Sequence, residues 1–400
     1  MSLFSGVFNT TINPAELNTR SFAGVMLRLF PNGTFPLWGL LSQQPKSVAK
    51  ASTHAYFSKT MTFGSVKIND ASGQAADVTL TVDSTVGILA SMVLYNPVTR
   101  ENVRVTAVNS ATELAVTRAF GRVVAADYAD DGIWLVIGSA FAEGSARPEA
   151  RGMTSVYVPN YTQIFRNAWA LTDTARASLA EQGFSNIQET RKDCSLLHST
   201  ECESAIFFGQ PKMDTSGAQP IHATQGIYDA TDQYAPANTN AAAATTTYNQ
   251  LVALVEPAYL YSTDMGNTKE RIAFVGATAN KVLNDIGRMS AQITMQTDET
   301  SFGMMFTKFK FYKGIINIVE HSLFNAWASL SGLAVIIDLA ALRLAFMAGR
   351  DTKAEDYGGD GRNNANGVDA VGGSLTSEFA VELINPFSCA VITDLTAAAG

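Results

Sequence analysis

The sequence predicts an α+β fold built on one long helix and carrying a small all-β insertion. Three observations predict it. A helix is signalled at both ends between Ser185 and Gly209, short alternating strands recur over residues 64–138, and strands and helices mix from Thr247 onward.

Residues 1–50 show no sustained period and hold breakers at Pro14, Asn32-Gly33, Pro36 and Pro45, so they read as an arm. From Ser52 to Phe63, His54, Tyr56, Phe57 and Thr60 favour extended chain. Between 64 and 138, Val78, Leu80 and Val82 alternate with Thr79, Thr81 and Asp83, and similar runs occur at 93–95, 103–105, 114–116 and 134–137. Turn residues at Asp70-Ala71-Ser72-Gly73, Asn96-Pro97, Asn109-Ser110 and Asp130-Asp131-Gly132 separate them, which predicts a small antiparallel barrel or sandwich. Extended chain resumes over Phe141 to Tyr161, so the β unit reads as an insertion at the tip of a two-stranded excursion.

Ser185 followed by Gln188 has capping-box spacing, and Gly209 stands where a helix end favours positive φ. Between them Ile187, Cys194, Leu197, Ala205 and Phe208 form an apolar stripe, with Glu189, Arg191, Lys192, Asp193 and Glu203 assigned to the polar remainder. At ~1.5 Å per residue the helix spans roughly 35 Å, long enough to brace a domain. Tyr234 to Thr247, with its Ala and Thr runs, reads as a low-complexity connector. Thr247 then caps a helix, Ile272–Val275 reads as a buried strand, and Val282, Leu283, Ile286 and Met289 mark one helix face. Strands at 305–312, 315–319 and 333–338 follow, then a polar loop over 351–373 and a closing strand with Phe379, Val381 and Leu383 that breaks at Pro386.

The 400 residues are 46% apolar and only 16% charged, a composition that favours an obligate assembly over a free monomer. The net charge of −8 argues against a dedicated nucleic-acid reader. It is unevenly spread: residues 1–60 hold Arg20, Arg28, Lys46, Lys50 and Lys59 against Glu16 alone, a net of +4, which leaves −12 for the rest. Such a basic arm can dock on acidic neighbours or on phosphates. Cys194, Cys202 and Cys389 have no paired spacing, which points to a reducing compartment. Met1-Ser2-Leu3-Phe4 lacks a basic secretory n-region, and the apolar run from Gly332 to Ala348, broken by Asp338 and Arg343, reads as core and not membrane.

Chemistry-bearing patterns are few. Cys194, His198 and Cys202 lie at i, i+4 and i+8, but the outer two are ~12 Å apart along a helix, so no single zinc ion takes all three and packing is preferred. Val275-Gly276-Ala277-Thr278 has one glycine where dinucleotide sites use three, so a plain helix cap is preferred to a phosphate cradle. Asp351, Glu355, Asp356, Asp360 and Gly361 do not match calcium-loop spacing and read as a solvated loop. His54, His222 and His321 lack evident partners, and four histidines offer few general bases, so no enzyme is indicated.

Five stretches in this order resemble the tailed-phage major capsid proteins of HK-ninety-seven-type fold, in the subgroup with a β-rich insertion. They are Ala140-Phe141-Ala142-Glu143-Gly144-Ser145, Asn160-Tyr161-Thr162-Gln163-Ile164-Phe165, Glu203-Ser204-Ala205-Ile206-Phe207-Phe208-Gly209, Gly349-Arg350-Asp351-Thr352-Lys353, and Leu383-Ile384-Asn385-Pro386-Phe387 with Ala390-Val391-Ile392. The resemblance implies an N-terminal arm at 1–50, an extended loop at 51–62 and 139–165, and an insertion domain at 63–138. It further implies a peripheral domain at 166–247 with its spine helix at 185–208, an axial domain at 248–332, and a return through both domains at 333–400. The implied function is a structural shell of hexamers and pentamers, an icosahedral head around double-stranded DNA, assembled in the host cytoplasm. Its implied partners are further copies of the chain, non-specifically packaged DNA, and cement, scaffolding and portal proteins, with no membrane. Some shells of this fold form Lys–Asn links between subunits, but no matching residue carries that chemistry over, so no catalytic, cofactor or metal residue is assigned. The alternatives are an encapsulin-like nanocompartment shell, and a metal-dependent hydrolase using His198 with a cysteine. A tail or fibre protein would show long β-repeats, and none is found.

Overall fold

A computed structural model describes residues 36–59, 64–71, 73–150, 152, 155–177, 186–260, 269–289, 296–301, 304–357 and 370–398. The chain divides into two compact units, Phe57–Tyr157 and the remainder.

Among the described residues the larger unit contains two large sheets and a two-stranded one, Lys212–Asp214 with Ile221–Ala223. One large sheet has seven strands in the order Thr239–Ala241, Ala390–Thr393, Ala334–Ile337, Glu270–Val275, Ile315–Glu320, Met304–Lys310 and Gln296–Ser301. The other runs Ser47–Ala49, Leu342–Met347, Ala370–Leu383 and Gln163–Thr172, with Lys353–Tyr357 pairing on the same long strand. The apolar run from Gly332 to Ala348 therefore feeds a strand to each large sheet, and Val335, Ile337, Leu342 and Leu344 are buried in a common core. Among the described residues no helix is long and apolar enough to cross a membrane.

The long helix, Asn186–Phe208, packs on strand Gln163–Thr172. Its predicted cap at Ser185 lies outside the described residues. The buried face is Cys194, His198, Cys202, Glu203, Ile206 and Phe207; of the predicted stripe it keeps only Cys194, while Ile187, Ala205 and Phe208 are half-buried at its margin, and two residues are placed on the opposite side from the one expected. Leu197 is 60% exposed, because it lies about half a turn around the helix from Ile206. Glu203, assigned to the polar face, is fully buried, because it precedes Ile206 and Phe207 by three and four residues and shares their side.

The helix does end at Gly209, but not through positive φ. A Cβ there would sit 2.4 Å from Thr224 O and 2.6 Å from Ala205 O, so close backbone approach demands the glycine. Gly209 N donates to Ala205 O, and Gly209 O accepts from Gly226 N, joining the helix end to the start of helix Ile227–Tyr234.

Three other expectations change. Residues 1–35 lie outside the described residues, but Pro36 starts the helix Pro36–Gln43 and does not break one, since its missing N–H costs nothing in a first turn. Within the connector expected at Tyr234–Thr247, Thr239–Ala241 is an edge strand parallel to Ala390–Thr393. In the loop expected at 351–373, Lys353–Tyr357 is a strand. Thr247 caps helix Tyr248–Val255 through a reciprocal capping box with Gln250.

In the smaller unit six strands run in the order Ser65–Lys67, Ile133–Ser139, Met92–Tyr95, Asn102–Val108, Glu113–Thr117 and Thr79–Thr81. The two edge strands meet through an Ile68–Val82 bridge and bonds from Asn69 N to Thr81 O and Asp83 N to Lys67 O, so the sheet closes on itself. Closure removes the unpaired edges that a short open sheet would leave. Val66, Ile68, Leu80, Leu94, Val103, Leu114 and Trp134 fill the interior.

Candidate functional site

Of the sequence-predicted candidates, Cys194, His198 and Cys202 are buried. Cys194 packs with Trp169 and Val371, whereas Cys202 belongs to the main core, and no metal-holding cluster of His, Cys, Asp and Glu occurs among the described residues. Burial pushes the Cys194 thiol up, and it holds the Cys202 thiol at about 12, far from the thiolate a metal or nucleophilic site needs.

His198 sits in a hydrogen-bonded relay. The Asn167 amide donates to Glu201 Oε1 at 2.9 Å, which turns Asn167 Oδ1 toward His198 Nδ1 at 2.7 Å. Nδ1 therefore carries the proton, and Nε2 accepts from Ser377 Oγ at 2.8 Å, with Thr352 Oγ1 a further 2.8 Å beyond. The connectivity is that of nucleophile, base and orienter. Ser377 is 0% exposed and His198 only 3%, so no substrate reaches either in this fold. The relay ties the long helix to strands Gln163–Thr172 and Ala370–Leu383.

The other two candidates resolve similarly. At Gly276 the helix Ala277–Met289 begins with its amides occupied: Ala277 N donates to Asn325 Oδ1 at 2.7 Å and Ala279 N to Ser331 O at 2.9 Å. Those two amides are thus bonded within the protein, as in a plain helix cap. Asp351 pairs with Lys46 at 2.6 Å, Asp356 with Arg191 at 2.6 Å, and Glu355 accepts from Tyr357 Oη at 2.7 Å. Asp360 and Gly361 lie outside the described residues.

The sequence reading missed the joint where three distant segments meet. Glu203 Oε1 accepts from His321 Nε2 at 2.5 Å and from Leu37 N at 3.0 Å, with both side chains fully buried. His321 Nδ1 accepts from Leu323 N at 3.1 Å, and its ring contacts Phe207, Phe274 and Phe324. The helical spacing of Glu203 from Ile206 and Phe207 was the available signal; nothing local marks His321. His54, also expected to be unpartnered, lies 3.1 Å from Glu382.

Asn160 is a second joint. Its amide donates to Val381 O at 2.6 Å and Gln225 O at 3.2 Å, while its Oδ1 accepts from Gln225 N at 2.7 Å. It fixes the strand Val156–Tyr161, which pairs with Thr53–Ser58 as a two-stranded ribbon. On that ribbon Phe57, Val156 and Tyr157 are 71%, 58% and 52% exposed, with the two rings 5.5 Å apart.

In the smaller unit, Arg118 and Glu101 form a buried fork. Nε lies 2.9 Å from Oε1 and Nη2 2.7 Å from Oε2, with Ala119 N also on Oε1 at 2.8 Å. The remaining guanidinium donors reach Gln74 O and Ala126 O, so the fork closes two loops.

Compared with known proteins, the chain matches the family model described as SU10 major capsid protein over residues 6–396. It is 50% identical over 407 aligned residues to the major capsid protein of Pseudomonas phage PaMx41, covering 99% of this chain and 97% of that one. Among solved structures, that of Mycobacterium phage Adephagia aligns with a TM-score of 0.48 at 11% identity, covering 99% of each chain. The SrpI encapsulin of Synechococcus elongatus aligns with a TM-score of 0.43 at 9% identity, covering 62% of this chain and 80% of that one.

Proposed function

Because the chain belongs to the SU10 major capsid protein family and is a phage major capsid protein, we propose that its copies close into an icosahedral head of hexamers and pentamers around double-stranded DNA. Its place is the virion capsid; assembly in the host cytoplasm is part of the proposal.

The observation that supports self-assembly most directly is the ribbon of Thr53–Ser58 and Val156–Tyr161. A two-stranded ribbon is marginal in water, and here it presents Phe57, Val156 and Tyr157 to solvent. Lying across a second copy would bury those side chains and pair the free edges. Repeated around a closed ring, interfaces of roughly 2,000 Å² or more give a stability that one chain cannot reach.

Within this reading residues 1–50 serve as the arm, 51–62 and 139–165 as the extended loop, and 63–138 as the surface insertion. Residues 166–247 form the peripheral domain, 248–332 the axial domain, and 333–400 the return through both. Packaged DNA, cement, scaffolding and portal proteins are the further partners. The net charge of −8 suits a lumen wall that does not hold DNA tightly during filling. The role is structural and not enzymatic. The nanocompartment reading is weaker, because the relative at 50% identity is a phage capsid protein.

Electron microscopy of the expressed chain with candidate assembly partners tests the proposal. Uniform closed shells with five- and six-fold capsomers are expected, and a chain that stays monomeric under every assembly condition would remove it.

A further inference from the structure

We infer that Glu203 is a positioning residue for shell assembly: it fixes the register in which helix Pro36–Gln43 seats on the body, and this rests on the shell reading above. Helix Pro36–Gln43 attaches by two kinds of contact. Leu37, Leu40 and Leu41 are buried in the same core as Ile206, Phe207 and Phe324. That attachment is non-directional, and one apolar seat resembles the next. The Leu37 amide on Glu203 Oε1, at 3.0 Å, is directional and admits one register.

The socket is built by the body and not by the helix. Leu323 N holds His321 Nδ1, which aims Nε2 at Glu203 Oε1, and three phenylalanine rings pack the imidazole on its sides. Oε1 is thus placed by residues 166 and 284 positions beyond Leu37 in the chain. The second oxygen, Oε2, is buried with no hydrogen-bond partner among the described residues. A carboxylate so short of donors depends strongly on the two it has, and a slipped helix would leave it with one. The carboxylate also meets the first turn of the helix, where the backbone dipole favours negative charge.

Two variants separate positioning from bulk packing. Glu203→Gln keeps Oε1 as an acceptor for both donors, whereas Glu203→Leu keeps the volume and removes both bonds. Hydrogen exchange of the unassembled full-length chain is read on residues 36–43 and on the core strand Ala334–Ile337. In Glu203→Leu, residues 36–43 should exchange faster by about tenfold or more beyond any change at the core strand, and shells should become irregular or open. Glu203→Gln should match wild type in both readouts. Wild-type exchange at 36–43 in Glu203→Leu would overturn the inference, as would equal loosening of 334–337, Leu-like behaviour of Glu203→Gln, or regular closed shells with a loosened helix. A wild-type chain that forms no shells counts against the capsid reading alone, since the exchange result is obtained before assembly.

Discussion

Glu203 and His321 lie 118 residues apart and share a 2.5 Å hydrogen bond, with both side chains fully buried. The pair couples the end of the long helix to the turn that follows strand Ile315–Glu320. Because a carboxylate without donors is costly inside a core, the pair should behave as a unit.

His321→Phe preserves the aromatic packing but removes a donor from Glu203. The expected loss is about 3–5 kcal/mol, read as a shift in the denaturation midpoint of the unassembled chain. Adding Glu203→Leu to His321→Phe should recover much of it, because neither polar group then remains. A double variant no more stable than His321→Phe alone would refute the coupling.

Gly209→Ala places a Cβ 2.4 Å from Thr224 O and 2.6 Å from Ala205 O, both rigid backbone atoms. Destabilisation on the order of 1–3 kcal/mol is expected. Gly217→Ala is the control, since its nearest neighbour would be Gln219 O at 3.7 Å. Equal melting shifts for the two variants would show that close approach is not what selects glycine at 209.

In the smaller unit, Arg118→Met strands a fully buried Glu101 and should cost about 3–5 kcal/mol there. Burial by itself raises the Glu101 carboxyl, but the Arg118 bonds and the Ala119 amide outweigh it and hold it below the ordinary 4.5. As pH falls the unfolded chain takes up the proton first. The contribution is therefore complete above about 4.5 and is lost as pH drops toward the folded value. Corrected for the intrinsic pH dependence of amide exchange, the protection of strand Asn102–Val108 should fall in that acid range in wild type, and protection that does not change with pH would contradict the assignment.

His198 gives a second pH signature. Burial lowers it below its ordinary 6.5, only partly offset by Glu201. Below 6.5 the unfolded chain binds a proton that the folded chain resists, so stability should fall as pH drops from there toward the folded value. His198→Gln should flatten this part of the stability profile relative to wild type. Parallel profiles for the two proteins would show that His198 does not contribute.

The ribbon predicts a separation of folding from assembly. Phe57→Ser with Tyr157→Ser removes exposed apolar surface and should change the melting temperature of the unassembled chain little. Shell yield should fall sharply. Normal shells from the double variant would show that these two rings are not an assembly contact.

Much of this fold was legible locally. The long helix, the short strands of the smaller unit and the Thr247 cap each follow from period, turn chemistry or capping within a few residues. The edge strand Thr239–Ala241 was not, because three residues, Thr-Asn-Ala, are too few to show a strand period and are extended by pairing with Ala390–Thr393. The strand Lys353–Tyr357 was hidden likewise: every residue in it is exposed, and its order comes from the register against Gly372–Thr376.

The sequence by itself determined the order of elements and, through stretches in fixed succession, the family. Only the tertiary structure decided which polar groups hold the body together: Glu203 with His321 and Leu37, His198 with Asn167 and Ser377, Asn160 with Val381 and Gln225. The physical reason is range. Periodicity records whether a neighbourhood is wet or dry, whereas these buried polar atoms are satisfied by partners that the chain brings back from 31 to 221 residues away.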